Sequence, residues 1–194
     1  MLKIGIVGTG RVATQNYIPY LAQQPDVELV YYNRTPSKAE AAAKQFGGRA
    51  AASLAELMAG EPDAVLVLTL ETQRYDAARA LLVHRPRRLF FEKPLVAEHG
   101  QANVGEADFW KGREILQQAR AAGTETAMVF NYRFFEQTRR AQEIVATRQF
   151  GPLCNVTGLV HYACWSHCLD LIAGFAGPIA EVTALANRTR RPFG

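Results

Sequence analysis

The chain has 194 residues, of which 48% are hydrophobic and 21% are charged, a balance that favours a packed core over disorder. This length allows one large domain, or one domain and part of another. The 22 Lys and Arg exceed the 18 Asp and Glu, for a net charge of +4, and basic and aromatic residues do not alternate. The composition therefore argues against a nucleic-acid-binding surface.

Cellular location is constrained by three further features of the sequence. No apolar run approaches the roughly 20 residues that a membrane helix needs. Strand-like sequence begins at Leu2, so we expect no secretion leader. The cysteines (Cys154, Cys164 and Cys168) are odd in number and grouped late in the chain, which is unlike a disulfide framework. We therefore expect a protein of the reducing cytoplasm that does not bind membranes.

A glycine-rich turn follows the first predicted strand, Leu2 to Val7, and opens a helix that runs to about Gln24. The turn consists of Gly8, Thr9, Gly10, Arg11, Val12 and Ala13. Gly8 permits the tight turn, Gly10 lets the backbone approach a pyrophosphate, and Ala13 lets the helix pack closely on the strand. Strand, turn and helix in this order predict a dinucleotide-binding site. A plain glycine turn in another α/β protein is the alternative.

The second predicted strand, Val27 to Tyr32, ends where an acidic residue would bind the adenosine ribose of NAD. No acid is present, and the residues found there are Asn33, Arg34, Thr35, Pro36, Ser37 and Lys38. Because the Arg34 guanidinium can bind a phosphate through two hydrogen bonds, this segment favours NADP, with NAD as the alternative cofactor. A turn with a helix cap at Ser37 would explain the same residues without a cofactor.

Two later strands are predicted to bring polar residues to the same edge of a sheet. Asp63 to Leu70 is rich in Val and Leu, as a central parallel strand should be, and places Thr69 at its carboxyl end. Arg88 to Phe91 leads into Glu92, Lys93 and Pro94. Ligands bind at the carboxyl edge of open α/β sheets, where Lys93 could donate or accept a proton. A surface Glu-Lys pair at the end of a strand is the alternative.

The whole pattern predicts an α/β fold in which strands alternate with helices in a doubly wound parallel sheet. Further helices are expected over 37–46, 53–59, 72–84 and 106–122, and further strands over 49–52 and 125–130. After residue 130 the pattern changes to a helix over 135–148, a strand over 153–162, a helix over 166–175 and a strand over 179–186. We therefore predict two domains, 1–130 and 131–194.

These motifs together resemble the Gfo/Idh/MocA family of NAD(P)-dependent oxidoreductases. The resemblance rests on the glycine turn, on Glu92-Lys93-Pro94, on the segment 131–134 and on the segment 167–170. It implies a Rossmann domain followed by an α+β domain with a mainly antiparallel sheet, here only partial. It also implies hydride transfer between nicotinamide and a sugar, cyclitol or related carbonyl or hydroxyl carbon. Family members are longer, so we expect a fragment, a shortened gene product, or a subunit whose partner completes the sheet.

Site residues follow from this resemblance by position. It implies that Lys93 binds the reacting oxygen and that His167 exchanges a proton with it, a role suited to a pKa of about 6.5. An Asp expected four residues before His167 is replaced by Ala163, and Asp170 follows on the same helical face. The expected catalytic residues are Lys93, His167 and Asp170. The expected cofactor-binding residues are Gly8, Thr9, Gly10, Arg11, Val12, Asn33, Arg34, Thr35, Lys38, Thr69, Glu92, Lys93 and Pro94.

Several alternatives to this assignment remain open in the sequence. The protein could bind NADP without turnover, as a sensor or regulatory subunit, and His167 could be a helix-cap residue packed beside Trp165. Arg133 could bind an anionic substrate group or brace the domain junction. A metal site built from His161, Cys164, His167 and Cys168 lacks standard zinc spacing, so we expect no metal and interpret the cysteines as small buried hydrophobes. Tyr132, Arg133, Tyr162 and Trp165 are candidates for determining specificity toward a small-molecule substrate.

Overall fold

The structure, a computed structural model, describes residues 1–161 and 164–185. The chain separates into two compact units, Met1–Val129 and Phe130–Gly194. Tyr162, Ala163 and the last residue of the strand expected over 179–186 lie outside the described residues.

The first unit is built on a parallel sheet of six strands in the order β3-β2-β1-β4-β5-β6. The strands are β1 (Leu2–Val7), β2 (Val27–Tyr32), β3 (Arg49–Ala50), β4 (Ala64–Val67), β5 (Arg88–Phe91) and β6 (Glu125–Met128). This sheet confirms the predicted α/β fold of the first unit. The direction of winding reverses between β1 and β4, and ligands bind at such a point in open sheets.

Helices cover both faces of this sheet. They are α1 (Ile18–Leu21), α2 (Pro36–Phe46), α3 (Leu54–Ala59), α4 (Glu71–Leu82) and α5 (Glu106–Ala122). A turn of π-helix, Ala13–Tyr17, precedes α1 directly. Pro19 follows this turn and cannot donate a backbone hydrogen bond to the preceding turn, which accounts for the irregular helical geometry.

Two apolar clusters, one on each face, hold the sheet in place. One cluster includes Val65, Leu89 and Ile115, which are fully buried, and the other includes Ile6 and Ile18. Burying each such side chain stabilises the fold by about 1.5–3 kcal/mol before the entropy cost is subtracted. The central strands are therefore rigid supports for the segments that follow them.

The second unit contains two α-helices among its described residues, α6 (Glu136–Thr147) and α7 (Trp165–Ala176), and a short 3₁₀ segment, Asn131–Phe134. Both helices agree with the sequence. The strands expected over 153–162 and 179–186 are not formed in residues 153–161 or 179–185. A strand needs a hydrogen-bonding neighbour, and the described part of this unit supplies none for these segments.

No helix among the described residues is long and apolar enough to cross a membrane.

The turn between α2 and β3 allows a matched test of backbone strain. Gly47 and Gly48 have φ angles of 80° and 85°, in the left-handed region that favours glycine. A Cβ atom at Gly48 would lie 2.3 Å from the Leu29 carbonyl oxygen, whereas one at Gly47 would meet no atom within 4 Å. An alanine would therefore adopt an unfavourable φ angle at either position, but only at Gly48 would its Cβ also clash with a neighbouring atom.

We expect Gly48→Ala to lower the free energy of unfolding by at least about 2 kcal/mol, and Gly47→Ala by about 1 kcal/mol. Urea denaturation of both variants measures the difference. Equal losses for the two variants would show that the contact with Leu29 relaxes at little cost.

Candidate functional site

A cleft of about 900 Å³ opens in the first unit, beside the carboxyl ends of the central strands. Eleven of the residues predicted to bind cofactor line it: Gly8, Gly10, Arg11, Val12, Asn33, Arg34, Thr35, Lys38, Thr69, Glu92 and Lys93. Thr9 and Pro94 were also predicted but are not part of the lining. Side chains distant in sequence are thus gathered at the edge of the sheet where β1 and β4 meet.

The two glycines of the turn have different roles: Gly8 is required by the backbone conformation, and Gly10 leaves space in the cleft. Gly8 has a φ of 96°, and its Cβ would lie 2.7 Å from the backbone nitrogen of Thr69. A Cβ at Gly10 would meet no atom of residues 1–161 or 164–185 within 4 Å, although Gly10 lines the cleft. Gly8 therefore allows β1 and the end of β4 to approach each other, and Gly10 leaves a space that a ligand can fill.

Asn33 ties the end of β2 to the glycine turn. Its Nδ2 donates to Thr9 Oγ1 at 2.9 Å, and its Oδ1 accepts from the Thr35 backbone nitrogen at 3.0 Å. Thr9 is 5% exposed and supports the turn from beneath. Thr35, not Ser37, is the N-cap residue of α2, so the alternative of a cap at Ser37 is wrong. Both ends of the Asn33 amide are thus engaged in holding the site together.

The segment after β5 places Lys93 in the cleft. Two hydrogen bonds fix the Glu92 carboxylate in the same segment. Glu92 Oε1 accepts a hydrogen bond from the Tyr17 hydroxyl at 2.9 Å, and its Oε2 accepts from the Lys93 backbone nitrogen. Burial and the Glu92 carboxylate raise the pKa of Tyr17 above its ordinary range, so Tyr17 stays a donor. The Lys93–Pro94 peptide bond is cis. Among the described residues, Lys93 takes part in no ion pair.

Sequence reasoning missed several residues of the cleft. Arg74 is 3% exposed, and it donates to the carbonyl oxygens of Thr69 and Pro94. The sequence contained a signal for its burial. Arg74 precedes the buried Ala78 and Leu81 by four and seven residues, a helical spacing that places all three on the inner face of α4. Asn16, Gln73 and Gln101 also line the cleft, and no motif marks them.

Part of the cleft surface suits a flat ring. Val12 and Leu70 line the cleft, and 42% and 64% of their surface is exposed. Thr69 Oγ1 is buried and has no hydrogen-bond partner among the described residues. Exposed apolar side chains beside an unsatisfied hydroxyl are typical of a binding surface that a ligand completes.

His167 lies in α7 and is 8% exposed. Its ring stacks on Tyr132, with centroids 4.3 Å apart and planes inclined by 16°, and meets Phe130 edge to face at 5.5 Å. The N-cap residue of α7 is Cys164, so His167 is not the helix cap that the alternative required. Aromatic residues from the start of the second unit therefore hold the imidazole.

Asp170, predicted to be catalytic, is ion-paired with Arg133. Arg133 Nε donates to Asp170 Oδ2 at 2.6 Å, and Arg133 Nη2 donates to the Asp170 carbonyl oxygen at 3.2 Å. The Asp170 side chain is 9% exposed. The hydrogen bond that Arg133 donates to the Asp170 carboxylate raises the pKa of Arg133 above its ordinary value. The ion pair braces the second unit internally, and the two roles expected for Arg133, binding an anionic substrate group or bracing the domain junction, stay predictions.

The cysteines are less buried than the sequence suggested. Cys154 is exposed, Cys164 and Cys168 are half-buried, and all are free thiols. Cys164 and Cys168, interpreted from the sequence as small buried hydrophobes, are thus only partly buried, and Cys154 lies in a stretch that forms no helix or strand. No group of three His, Cys, Asp or Glu residues in the described part of the chain could hold a metal ion.

A parallel sheet with a glycine turn at its switch point defines the first unit as a nucleotide-binding Rossmann domain. A family model described as an oxidoreductase family with an NAD-binding Rossmann fold matches residues 2–108, more than half of the chain. The chain belongs to this Gfo/Idh/MocA family of oxidoreductases.

Known proteins similar to this chain are dehydrogenases and reductases. Glucose-6-phosphate 3-dehydrogenase of Bacillus subtilis (strain 168) is 23% identical over 163 residues, 84% of this chain and 42% of that protein. A putative myo-inositol dehydrogenase from Sinorhizobium meliloti 1021 has a TM-score of 0.70 at 18% identity, covering 91% of this chain and 56% of that one. KijD10, a 3-ketoreductase from Actinomadura kijaniata solved with NADP and TDP-benzene, has a TM-score of 0.59 at 20% identity, covering 78% and 44%. The chain therefore spans about half the length of these relatives, and the two structures establish the likeness of fold.

The Arg133–Asp170 pair can be tested by a double-mutant cycle with Arg133→Met and Asp170→Asn. We expect a coupling energy of about 1–3 kcal/mol in the free energy of unfolding, because the Asp170 carboxylate is largely removed from water. Arg140 and Glu143 form an exposed pair on α6, and the same cycle there should give a coupling near zero. Similar values for both cycles would contradict a bracing role for Arg133.

Proposed function

We propose that this chain is the cofactor-binding part of an NADP-dependent oxidoreductase, with NAD as the alternative cofactor. It transfers a hydride between nicotinamide and a carbonyl or hydroxyl carbon of a sugar, cyclitol or related small molecule. The observation that carries the proposal is that Lys93 lines the same cleft as Gly8 and Gly10. The Lys93 ammonium, a cationic hydrogen-bond donor, and the glycine turn, which suits a pyrophosphate, thus face the same cleft.

The residues of the cleft fit a dinucleotide. Gly10 leaves room for the pyrophosphate beside the first turn of the following helical segment, whose N–H groups favour an anion. Val12 and Leu70 offer apolar surface to a ring, and the buried Thr69 hydroxyl, which bonds to no residue in the described part of the chain, offers a hydrogen bond. These features support a cofactor that lies along the carboxyl edge of β1, β4 and β5.

Charge at the end of β2 supports NADP over NAD. Arg34 and Lys38 line the cleft, and the segment 33–38 contains no acid. Asn33, at the position of the expected ribose-binding acid, uses both ends of its amide within the protein. A 2′-phosphate would therefore meet two cations and no carboxylate in this segment.

The nicotinamide ring supplies the hydride donor or acceptor. The Lys93 ammonium hydrogen-bonds the reacting oxygen and stabilises the negative charge that develops there. His167 serves as the acid or base that gives a proton to that oxygen during reduction and removes it during oxidation. Because Asp170 is engaged by Arg133, we assign it to holding α7 and not to the proton relay.

The second unit is proposed to belong to a larger substrate domain with a mainly antiparallel sheet. Leu159, Val182 and Leu185 are 98%, 77% and 101% exposed, and apolar residues in such positions favour cover by further strands or by another subunit. A second copy of the chain is the proposed partner. The free thiols are consistent with a reducing cytoplasm.

Replacement of Lys93 tests the reaction. We expect Lys93→Met to lower kcat/KM by at least about 100-fold, because it removes the group that stabilises charge on the reacting oxygen. The Kd for NADPH should change by less than about threefold, since other residues bind the pyrophosphate. Oxidation of NADPH is followed by absorbance with a panel of sugar and cyclitol ketones.

Lys44→Met is the matched control for this experiment, because Lys44 is exposed on α2 and does not line the cleft. This variant should keep the activity of the wild type. Tight NADPH binding by the wild type without turnover of any substrate would instead support a sensor or regulatory protein.

Replacement of Arg34 tests the choice of cofactor. We expect Arg34→Gln to raise the Kd for NADPH about tenfold while leaving the Kd for NADH nearly unchanged, because only NADPH carries the 2′-phosphate. Fluorescence titration gives both constants, and Arg120→Gln, at an exposed position of α5, is the control. Equal weakening of both cofactors would contradict the assignment of Arg34 to the 2′-phosphate.

A further inference from the structure

A buried cation on α4 has no role in the chemistry proposed above. Arg74 is 3% exposed, although an arginine side chain carries a charge and five N–H donors. Burying such a group is costly unless hydrogen bonds and opposite charges compensate for the lost hydration. Apolar residues of similar volume often stabilise a fold as well as a buried ion does. The guanidinium therefore needs an explanation beyond core packing.

The hydrogen bonds of Arg74 bridge two loops. Nη2 donates to the Thr69 carbonyl oxygen at 2.5 Å, and Nη1 donates to the Pro94 carbonyl oxygen. Thr69 follows β4 and Pro94 follows β5, so the planar guanidinium joins the segments that leave two neighbouring strands. Lys93 lies next to one of the two bridged residues.

The sheet itself does not join these loops at this point. The paired register of β4 and β5 ends with Val67 and Phe91, and one further bond runs from the Glu92 nitrogen to the Val67 carbonyl oxygen at 3.3 Å. Pro94 has no N–H with which to continue the ladder. Arg74 thus joins the two loops just beyond the last strand pairing, and a backbone hydrogen bond from the Ala97 nitrogen to the Glu71 carbonyl oxygen at 3.4 Å joins the same segments further along.

A third segment joins the same network through Glu92. This carboxylate accepts from Tyr17, which lies in the helical segment after the glycine turn, and it lies close enough to Arg74 for its charge to compensate for the buried cation. Burial lowers the pKa of Arg74, while Glu92 and Glu71 oppose that shift. Three segments that surround the cleft are therefore linked by two charged side chains, the buried Arg74 and the half-buried Glu92.

We propose that Arg74 is a positioning residue that aligns the Thr69 loop and the Lys93 loop for cofactor and substrate. This inference rests on the proposed oxidoreductase function. Arg74 acts through the backbone of its neighbours and does not itself contact the reacting atoms. Arg74 Nε is buried and makes no hydrogen bond to any residue that the structure describes, which is consistent with a geometry set by the two carbonyl groups.

The experiment uses the full chain and compares Arg74→Met with Arg74→Lys. The methionine variant keeps a side chain of similar volume but removes both hydrogen bonds to the carbonyl oxygens. The lysine variant keeps the charge but lacks the planar guanidinium that donates to two acceptors at once. Two readouts are taken: the Kd for NADPH by fluorescence, and hydrogen exchange of peptides that span residues 66–72 and 90–98. The exchange readout needs neither cofactor binding nor turnover.

Arg74→Met should raise the Kd for NADPH at least tenfold and speed exchange in both loops, and should leave exchange in β1 unchanged. Arg74→Lys should fall between Arg74→Met and the wild type. In any turnover assay, kcat should fall more than KM rises, because the placement of Lys93 is lost. If Arg74→Met fails to fold, Arg74→Lys carries the test with the same readouts.

Two controls on α4 separate positioning from a general loss of stability. Leu81→Ala removes a fully buried side chain that does not line the cleft, and Arg79→Met changes an exposed arginine. Leu81→Ala should lower Tm with little effect on the Kd or on exchange in the loops, and Arg79→Met should change none of these quantities.

The inference is overturned if the Arg74 variants lower Tm as Leu81→Ala does and keep wild-type loop exchange. Failure of the wild type to bind either NADPH or NADH would overturn the proposed function instead. In that case the exchange data still decide whether Arg74 holds the two loops.

Discussion

The candidate site depends on the register of the central parallel strands. Val7 pairs with Tyr32 on one side and with Val67 on the other, and Val67 pairs with Phe91. Strands in this register end at the same level, so the segments that follow them emerge at a single edge of the sheet. Packing of both faces by buried aliphatic side chains keeps the strands at this level. Lys93 reaches the cleft as a consequence of this shared end point.

Beyond that edge, polar side chains replace the backbone as the means of holding the chain in place. The Asn33 amide joins the end of β2 to the glycine turn, and the Glu92 carboxylate joins the end of β5 to Tyr17. Arg74 adds the bridge between the loops after β4 and β5. Such groups are costly to bury, and each is compensated by a specific partner. The same hydrogen bonds that stabilise the loops thus shape the cleft for a ligand.

The second unit is stabilised differently from the first. In this unit α7 is held to the 3₁₀ segment by the stacking of His167 on Tyr132 and by the ion pair of Arg133 with Asp170, and many of the unit's apolar side chains are exposed. A fold that buries little apolar area has little hydrophobic stabilisation to offset its conformational entropy.

The sequence by itself determined the α/β architecture and the limits of β1, β2, β5 and α5, because apolar periodicity, glycine turns and helix ends are local signals. It also indicated that Lys93 follows a strand at the ligand-binding edge of the sheet. Only the tertiary structure decided that Asn33 binds Thr9, that Asp170 binds Arg133, and that residues 153–161 form no strand. These outcomes depend on partners that are distant in sequence, and a hydrogen bond or a strand pairing exists only when folding brings both members together.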